Sequence, residues 1–203
     1  MTTCNLGTSG IDEVVAAVAD GNLVVIPTDT VYGLACRPDL EASVRALSEL
    51  KGRTPEQPVA LVAVSPDALL ELVPELDSAL LVRGPLTLVL PNPARRLPWL
   101  TGSRPETIGV RLPDANGVAA ELLDALGVVA ATSANLHGGV DLGRVEDVPA
   151  EILGAVAAAL DGGELPGTPS TVVDLTGPEP RVLREGAVPA GDALARFARG
   201  RAQ

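Results

Sequence analysis

The sequence predicts an α/β domain built on a mixed sheet. Short apolar runs of strand length recur between amphipathic segments of helical period, and nearly half of the 203 residues, 46%, are apolar, enough for a packed core rather than disorder. No internal repeat and no linker-like stretch divides the chain: the Pro/Gly-rich run "GGELPGTP" leads straight into an apolar strand and reads as a loop. A single domain spanning 1–203 is the simplest organisation.

In order, "SGIDEVVAAVADG" places Ile11, Val14, Val15 and Val18 on one helical face, with Ser9 as its cap and Gly21 as its stop. "NLVVIP" is a buried strand closed by Pro27, and a second helix is expected over Asp39 to Leu50 with Leu40, Val44 and Leu47 facing inward. Val59 to Val64 is a further strand, and Pro66 sits just inside the helix that follows it. Strands are predicted at Leu86 to Leu90, Thr107 to Leu112, Val128 to Thr132 and Ser170 to Leu175, and helices at Asn116 to Leu126 and Pro149 to Leu160. Tyr32, Trp99 and Phe197 are all the aromatic residues, so the core is aliphatic.

A formal net charge of −11 argues against a generally basic surface that grips nucleic acid through its phosphates, though not against a local basic groove. Two cysteines, Cys4 and Cys36, form neither a disulfide framework nor a metal set, which points to a reducing cytoplasm. The N-terminus has no basic residue before Arg37 and no long apolar run, so neither export nor a membrane span is expected.

Polar residues gather where the apolar strands end. "VVIP" runs into "TDTVYG", "VVAA" into "TSANLHGG", and "GTPST" into "VVDL". Turn chemistry explains any one cluster; three of them at the ends of α/β strands point to a shared ligand crevice. The fifteen basic residues are fourteen arginines and one lysine, Lys51, which stands two residues before Arg53. A compact ammonium kept in an arginine-rich chain is a candidate for phosphate chemistry, against the alternative of a solvated surface cation. The usual phosphate and nucleophile signatures, a P-loop, a dinucleotide turn and a Gly-x-Ser-x-Gly elbow, are missing, and His137 is the sole histidine. No set of zinc ligands is present, and no metal held by protein side chains is predicted. An enzyme of this composition works by positioning and charge stabilisation around an anion.

"PTDTVYGL", "KGR", "IGVRLP", "TSAN", "PSTVVD" and "LREG" occur in this order from Pro27 to Gly186. The series, within a motif-bearing region of about 21–186, resembles threonylcarbamoyl-AMP synthase, the YrdC-domain family. The resemblance implies a twisted mixed sheet around an open concave cavity. It also implies a reaction in which L-threonine, bicarbonate and ATP, with Mg2+, give threonylcarbamoyl-AMP and pyrophosphate for tRNA modification. A separate tRNA threonylcarbamoyl-transferase complex would consume the product.

Carried over residue by residue, the resemblance gives Lys51, Arg53, Ser133 and Asn135 the catalytic signature. Lys51 and Arg53 would neutralise the triphosphate while Ser133 and Asn135 orient it, and Thr107 and Arg184 would be further nucleotide contacts. Thr28, Thr30, Tyr32, Arg111, Thr132 and Ser170 would form the threonine pocket, with Arg111 pairing the carboxylate. Asp29 stands where the family often has glutamate, and Thr54 takes the place of a usual proline after K-x-R. The end of the chain soon after "REGAVP" matches the family's short, single-domain form. Two other functions remain open at this level. One is double-stranded RNA binding without catalysis, against which the acidic balance and the lack of stacking aromatics count. The other is carbamoyl transfer from a different donor.

Overall fold

The computed structural model describes residues 9–136 and 138–198. Among these residues nine strands form one mixed sheet: β1 (Val24–Ile26), β2 (Gly33–Cys36), β3 (Ala60–Ala63), β4 (Leu86–Pro91), β5 (Thr107–Arg111), β6 (Val128–Ser133), β7 (Ala158–Ala159), β8 (Thr171–Asp174) and β9 (Arg181–Arg184). Their order across the sheet is β7-β1-β2-β6-β3-β5-β4-β8-β9. The β1/β7, β3/β5 and β4/β8 pairs run parallel and the remaining neighbours antiparallel. Six α-helices accompany it among the described residues: α1 (Ile11–Ala19), α2 (Glu41–Leu50), α3 (Pro66–Leu72), α4 (Gly117–Leu126), α5 (Ala150–Leu153) and α6 (Ala190–Ala198).

Alternation along the strands divides the sheet into two faces. Leu34 and Cys36 of β2, Leu61 and Ala63 of β3, and Ala130 of β6 enter the larger apolar cluster, together with Leu86, Leu88 and Leu90 of β4 and Ile108 and Val110 of β5. Ala35, Val62, Val129 and Ala131 point the other way, into a second cluster closed by Val14 and Val18 of α1 and Leu122 and Leu123 of α4. Helices α1 and α4 cover only one part of that second face. Farther along it, Thr87 and Val89 of β4, Gly109 of β5 and Val172 of β8 floor an open cavity instead. Gly33, Ala60, Gly109 and Ala131 keep the floor low because they project one carbon or none.

Several predicted elements shift. Ser9 does not cap α1: Gly10 holds the cap position with no side-chain bond, and the Ser9 hydroxyl accepts from the Ala159 amide instead. Helix α2 begins at Glu41 after an extended Leu40, with Asp39 outside it and paired with Arg37, and Leu40 at 41% exposure lies outside the buried Val44/Leu47 face. The helix expected over Pro149 to Leu160 stops at Leu153. Gly154 ends it, and Ala158 and Ala159 pair in parallel with Val24 and Val25 as an edge strand. Pro66 opens α3 as read, and Ser65 caps it, its hydroxyl accepting from the Ala68 amide.

Candidate active site

The cavity encloses about 350 Å³. Three strand-end clusters supply its wall: Thr28 from the segment after β1, Thr132 and Ser133 from the end of β6, and Ser170 from the turn entering β8. Thr107 and Arg111 come from the two ends of β5, Arg53 from the segment after α2, and Arg184 from the last position of β9. Eight of the residues singled out from the sequence therefore share one space.

Four arginines line it, Arg53, Arg104, Arg111 and Arg184, against a single carboxylate, Asp141, among the described residues. Charges of one sign in a walled cleft focus their field and favour a polyanion. Arg53 donates from Nη1 to the Thr132 hydroxyl at 3.1 Å. Burial lowers its pKa, and the nearby charge of Arg184 lowers it further. Arg184 donates from Nη2 to the Ser170 carbonyl at 2.8 Å, and the Ser170 hydroxyl shares a 2.8 Å hydrogen bond with Thr87. Arg111 is 8% exposed. Its Nη2 donates to the Asp29 carboxylate and to the Thr30 hydroxyl, the latter at 2.7 Å. Asp29 is itself fixed by the Asp114 amide at 2.9 Å. The Nε of Arg111 is buried without a partner. Arg111 as a residue lines the cavity, and a buried charged donor without a partner is costly.

Thr30, Tyr32, Lys51 and Asn135 are not in the wall but behind it. Thr30 links the Thr28 hydroxyl, 3.2 Å away, to Arg111. The Tyr32 phenol donates to the Gly163 carbonyl at 2.8 Å and accepts from the Gly162 amide at 2.9 Å, strapping the 161–163 turn to the cluster after β1. Burial, partly offset by that amide, pushes its pKa up to about 12, so it stays neutral. Lys51 is 4% exposed at the C-terminal cap of α2, which rules out the solvated-cation reading. Its ammonium donates to the Ser133 carbonyl, to Asn135 Oδ1 at 2.7 Å and, weakly, to the Ser133 hydroxyl at 3.4 Å. Asn135 passes the tie onward, donating to the Gly139 and Val140 carbonyls at 2.8 and 3.1 Å. Burial, with help from the Arg53 charge and against that of Asp141, brings Lys51 down to about 8.

Ser103, Arg104, Thr87 and Asp141 also line the cavity without having been singled out. Asp141 follows the "TSANLHGG" cluster closely enough to have been included. Thr87 lies inside an apolar strand, and Arg104 sits in a turn with no pattern around it. His137 and Cys4 lie outside the described residues. Cys36 is buried on β2, where desolvation pushes its thiol up to about 12.

Residues 16–186 match the profile of the Sua5/YciO/YrdC family, described as "Telomere recombination". The chain belongs to the Sua5/YciO/YrdC family. A Mycobacterium tuberculosis relative is 38% identical over 186 residues, which cover 88% of this chain and 85% of that one. The protein named threonylcarbamoyl-AMP synthase in Pyrococcus abyssi is 34% identical over 180 residues, 85% of this chain and 52% of its own length. The crystal structure of P. abyssi Sua5 complexed with L-threonine superposes with a TM-score of 0.82 at 32% identity, over 92% of this chain and 57% of that one. As a Sua5/YciO/YrdC member, the chain carries the concave cavity that the motif series implied. Among its described residues no helix is long and apolar enough to cross a membrane.

Proposed function

We propose that this protein joins L-threonine, bicarbonate and ATP into threonylcarbamoyl-AMP with release of pyrophosphate. The observation that carries the reading is four arginines around one cavity with one lining carboxylate, in a chain of net charge −11. Names of relatives, and a relative solved with L-threonine, support it.

The threonine amine adds to the bicarbonate carbon and water is lost, giving N-carboxy-threonine. An oxygen of the new N-carboxylate, not of the threonine carboxylate, forms a bond to the α-phosphorus of ATP. The bond from that phosphorus to the bridging oxygen breaks, and pyrophosphate leaves with the electron pair. Such a displacement needs charge stabilisation and alignment rather than a protein nucleophile. Arg53 and Arg184 neutralise the phosphates, with the Ser133 and Thr107 hydroxyls at hand to orient them. Lys51 fixes Ser133 from behind the wall and adds its charge to the field. Arg111, set by Asp29 and Thr30, offers its guanidinium charge to the threonine carboxylate, and Thr28, Thr132 and Ser170 supply hydroxyls around the amino acid. Tyr32 braces the segment that carries Thr28 and Thr30.

Magnesium enters as part of the nucleotide substrate. Among the described residues no group of three or more His, Cys, Asp or Glu side chains is gathered to hold a metal of its own, and phosphate-bound magnesium ordinarily keeps most of its water. The product is an activated acyl-adenylate, passed to a tRNA-modifying transferase complex in the cytoplasm.

Pyrophosphate release from the purified protein with MgATP, L-threonine and bicarbonate tests the reading, each component being omitted in turn. The expected result is release that needs both threonine and bicarbonate, with threonylcarbamoyl-AMP identified by mass. Release that continues without threonine overturns it.

A further inference from the structure

Arg104 lies in the turn before β5, and none of the sequence motifs reaches it. Its backbone is pinned to the start of that strand: its carbonyl accepts from both the amide and the hydroxyl of Thr107, each at 3.0 Å. Its guanidinium is held separately. Nη1 donates to Asp174 Oδ2 at 3.1 Å and Nη2 to the Thr176 hydroxyl at 3.1 Å. That hydroxyl donates in turn to Asp174 Oδ1 at 2.5 Å, and the Thr176 amide donates to the same oxygen at 2.9 Å. The Asp174 side chain has no exposure at all, whereas that of Arg104 is 42% exposed and lines the cavity.

Two further points set this apart from an ordinary surface pair. A guanidinium has five N–H donors in a fixed fork, and the bonds to Asp174 and Thr176 use two of them. Glu106, 57% exposed and 3.6 Å from Nε, is a loose and screened neighbour. Asp174 also accepts from Arg181 Nη2 at 3.1 Å, so one buried negative charge is divided between two arginines. The carboxylate orients the guanidinium without cancelling it.

From this geometry we infer that Arg104 is a further binding residue of the cavity, a contact for the phosphate chain of its substrate, and that Asp174 is the positioning residue that aims it. The inference rests on the nucleotide reading above. It differs from a purely structural role, in which Asp174 would only tie β8 to β9 through Arg181.

Inorganic tripolyphosphate is the probe, titrated into the full chain by calorimetry at fixed ionic strength. R104Q is expected to weaken its binding about tenfold, the scale of one charge-assisted contact. D174N separates positioning from charge by sign. Deleting a negative charge beside an anion site tightens binding by Coulomb's law alone, whereas loss of aim weakens it, and weakening close to that of R104Q is expected. The double variant R104Q/D174N should bind no more weakly than R104Q, because Asp174 acts through Arg104. Should D174N fail to fold, T176V removes the other acceptor and is expected to weaken binding about threefold. An R104Q protein within twofold of wild type overturns the inference, as does a wild type that does not bind tripolyphosphate. A wild type that binds it but releases no pyrophosphate from ATP, threonine and bicarbonate overturns the adenylyl-transfer reading alone; R104Q still decides the fate of Arg104.

Discussion

Lys51 shows how much chemistry one side chain can carry when it is placed inside a protein. At the end of α2 it would ordinarily be a solvated cation soothing the helix dipole. Here its ammonium is enclosed between Ser133 and Asn135 and serves as the pin of the loop after β6. Enclosure disfavours the charged form, which is why its proton is released near pH 8 instead of above 10. Because Lys51 is the only lysine in the chain, a sample with lysine labelled with carbon-13 at Cε gives one side-chain signal. Its titration midpoint by NMR is expected near 8, moving upward when tripolyphosphate is bound, because an anion favours the ammonium. A midpoint above 10 in the free protein would refute the enclosed geometry. The stability consequence has a definite sign. Between about pH 8 and 10.5 the unfolded chain holds a proton that the folded chain has released. Stability therefore rises with pH through that window on account of Lys51, and its protonation weighs against folding below it.

Elements set the distances at which such residues meet. The turn entering β8 and the end of β9 form one wall, and Gly186 decides how closely they approach. A Cβ on Gly186 would fall 2.1 Å from the Pro169 carbonyl oxygen and 2.7 Å from the Ser170 carbonyl carbon. No side-chain rotation relieves a clash with backbone, so Gly186→Ala must separate the two segments. The expected loss is about 2–3 kcal/mol by urea unfolding, with weaker nucleotide affinity as Arg184 leaves the Ser170 carbonyl. A variant within about 0.5 kcal/mol of wild type, the ordinary range for a surface change, would show that the approach is not fixed by packing. This wall also marks what could be read from sequence. "PSTVVD" and "LREG" were legible as motifs, and the polar runs at strand ends were legible as a crevice. That β9 is a strand was not, because its four residues are largely exposed and show no apolar alternation. Nor was β2, whose "GLAC" reads as a continuation of the polar cluster before it until the pairing with β1 and β6 is seen. Alanine-rich sequence across 150–160 carries helix propensity, and only the parallel pairing with β1 turns its end into a strand. Arg104 and Asp174 lie seventy positions apart; their meeting is a product of β4 pairing with both β5 and β8, which no local pattern encodes.

At the scale of the molecule, two fields of opposite sign act on any anionic ligand, the proposed nucleotide included. Net charge of −11 repels an anion at long range, while the arginine-lined cavity attracts it at contact. Added salt screens both, so the sign of its effect reports which one governs binding. Surface carboxylates are dispersed and hydrated, and beyond about 8 Å their influence is already small at physiological ionic strength. The cavity arginines act over a few ångströms with low-dielectric walls around them, where screening is weak but the charge density is high. Local attraction is therefore expected to win. Raising potassium chloride from about 50 to 500 mM should increase KM for MgATP several-fold, because a polyanion displaces screening ions when it binds, an effect that grows with the number of charges paired. KM for L-threonine, a zwitterion without net charge, should move by less than twofold over the same range. Steady-state kinetics with each substrate varied separately makes the comparison, using a potassium salt that binds magnesium weakly. A fall in KM for MgATP with salt would mean that the acidic surface dominates, and that the arginines of the cavity are spent on Asp29, Asp174 and the backbone carbonyls rather than on phosphate.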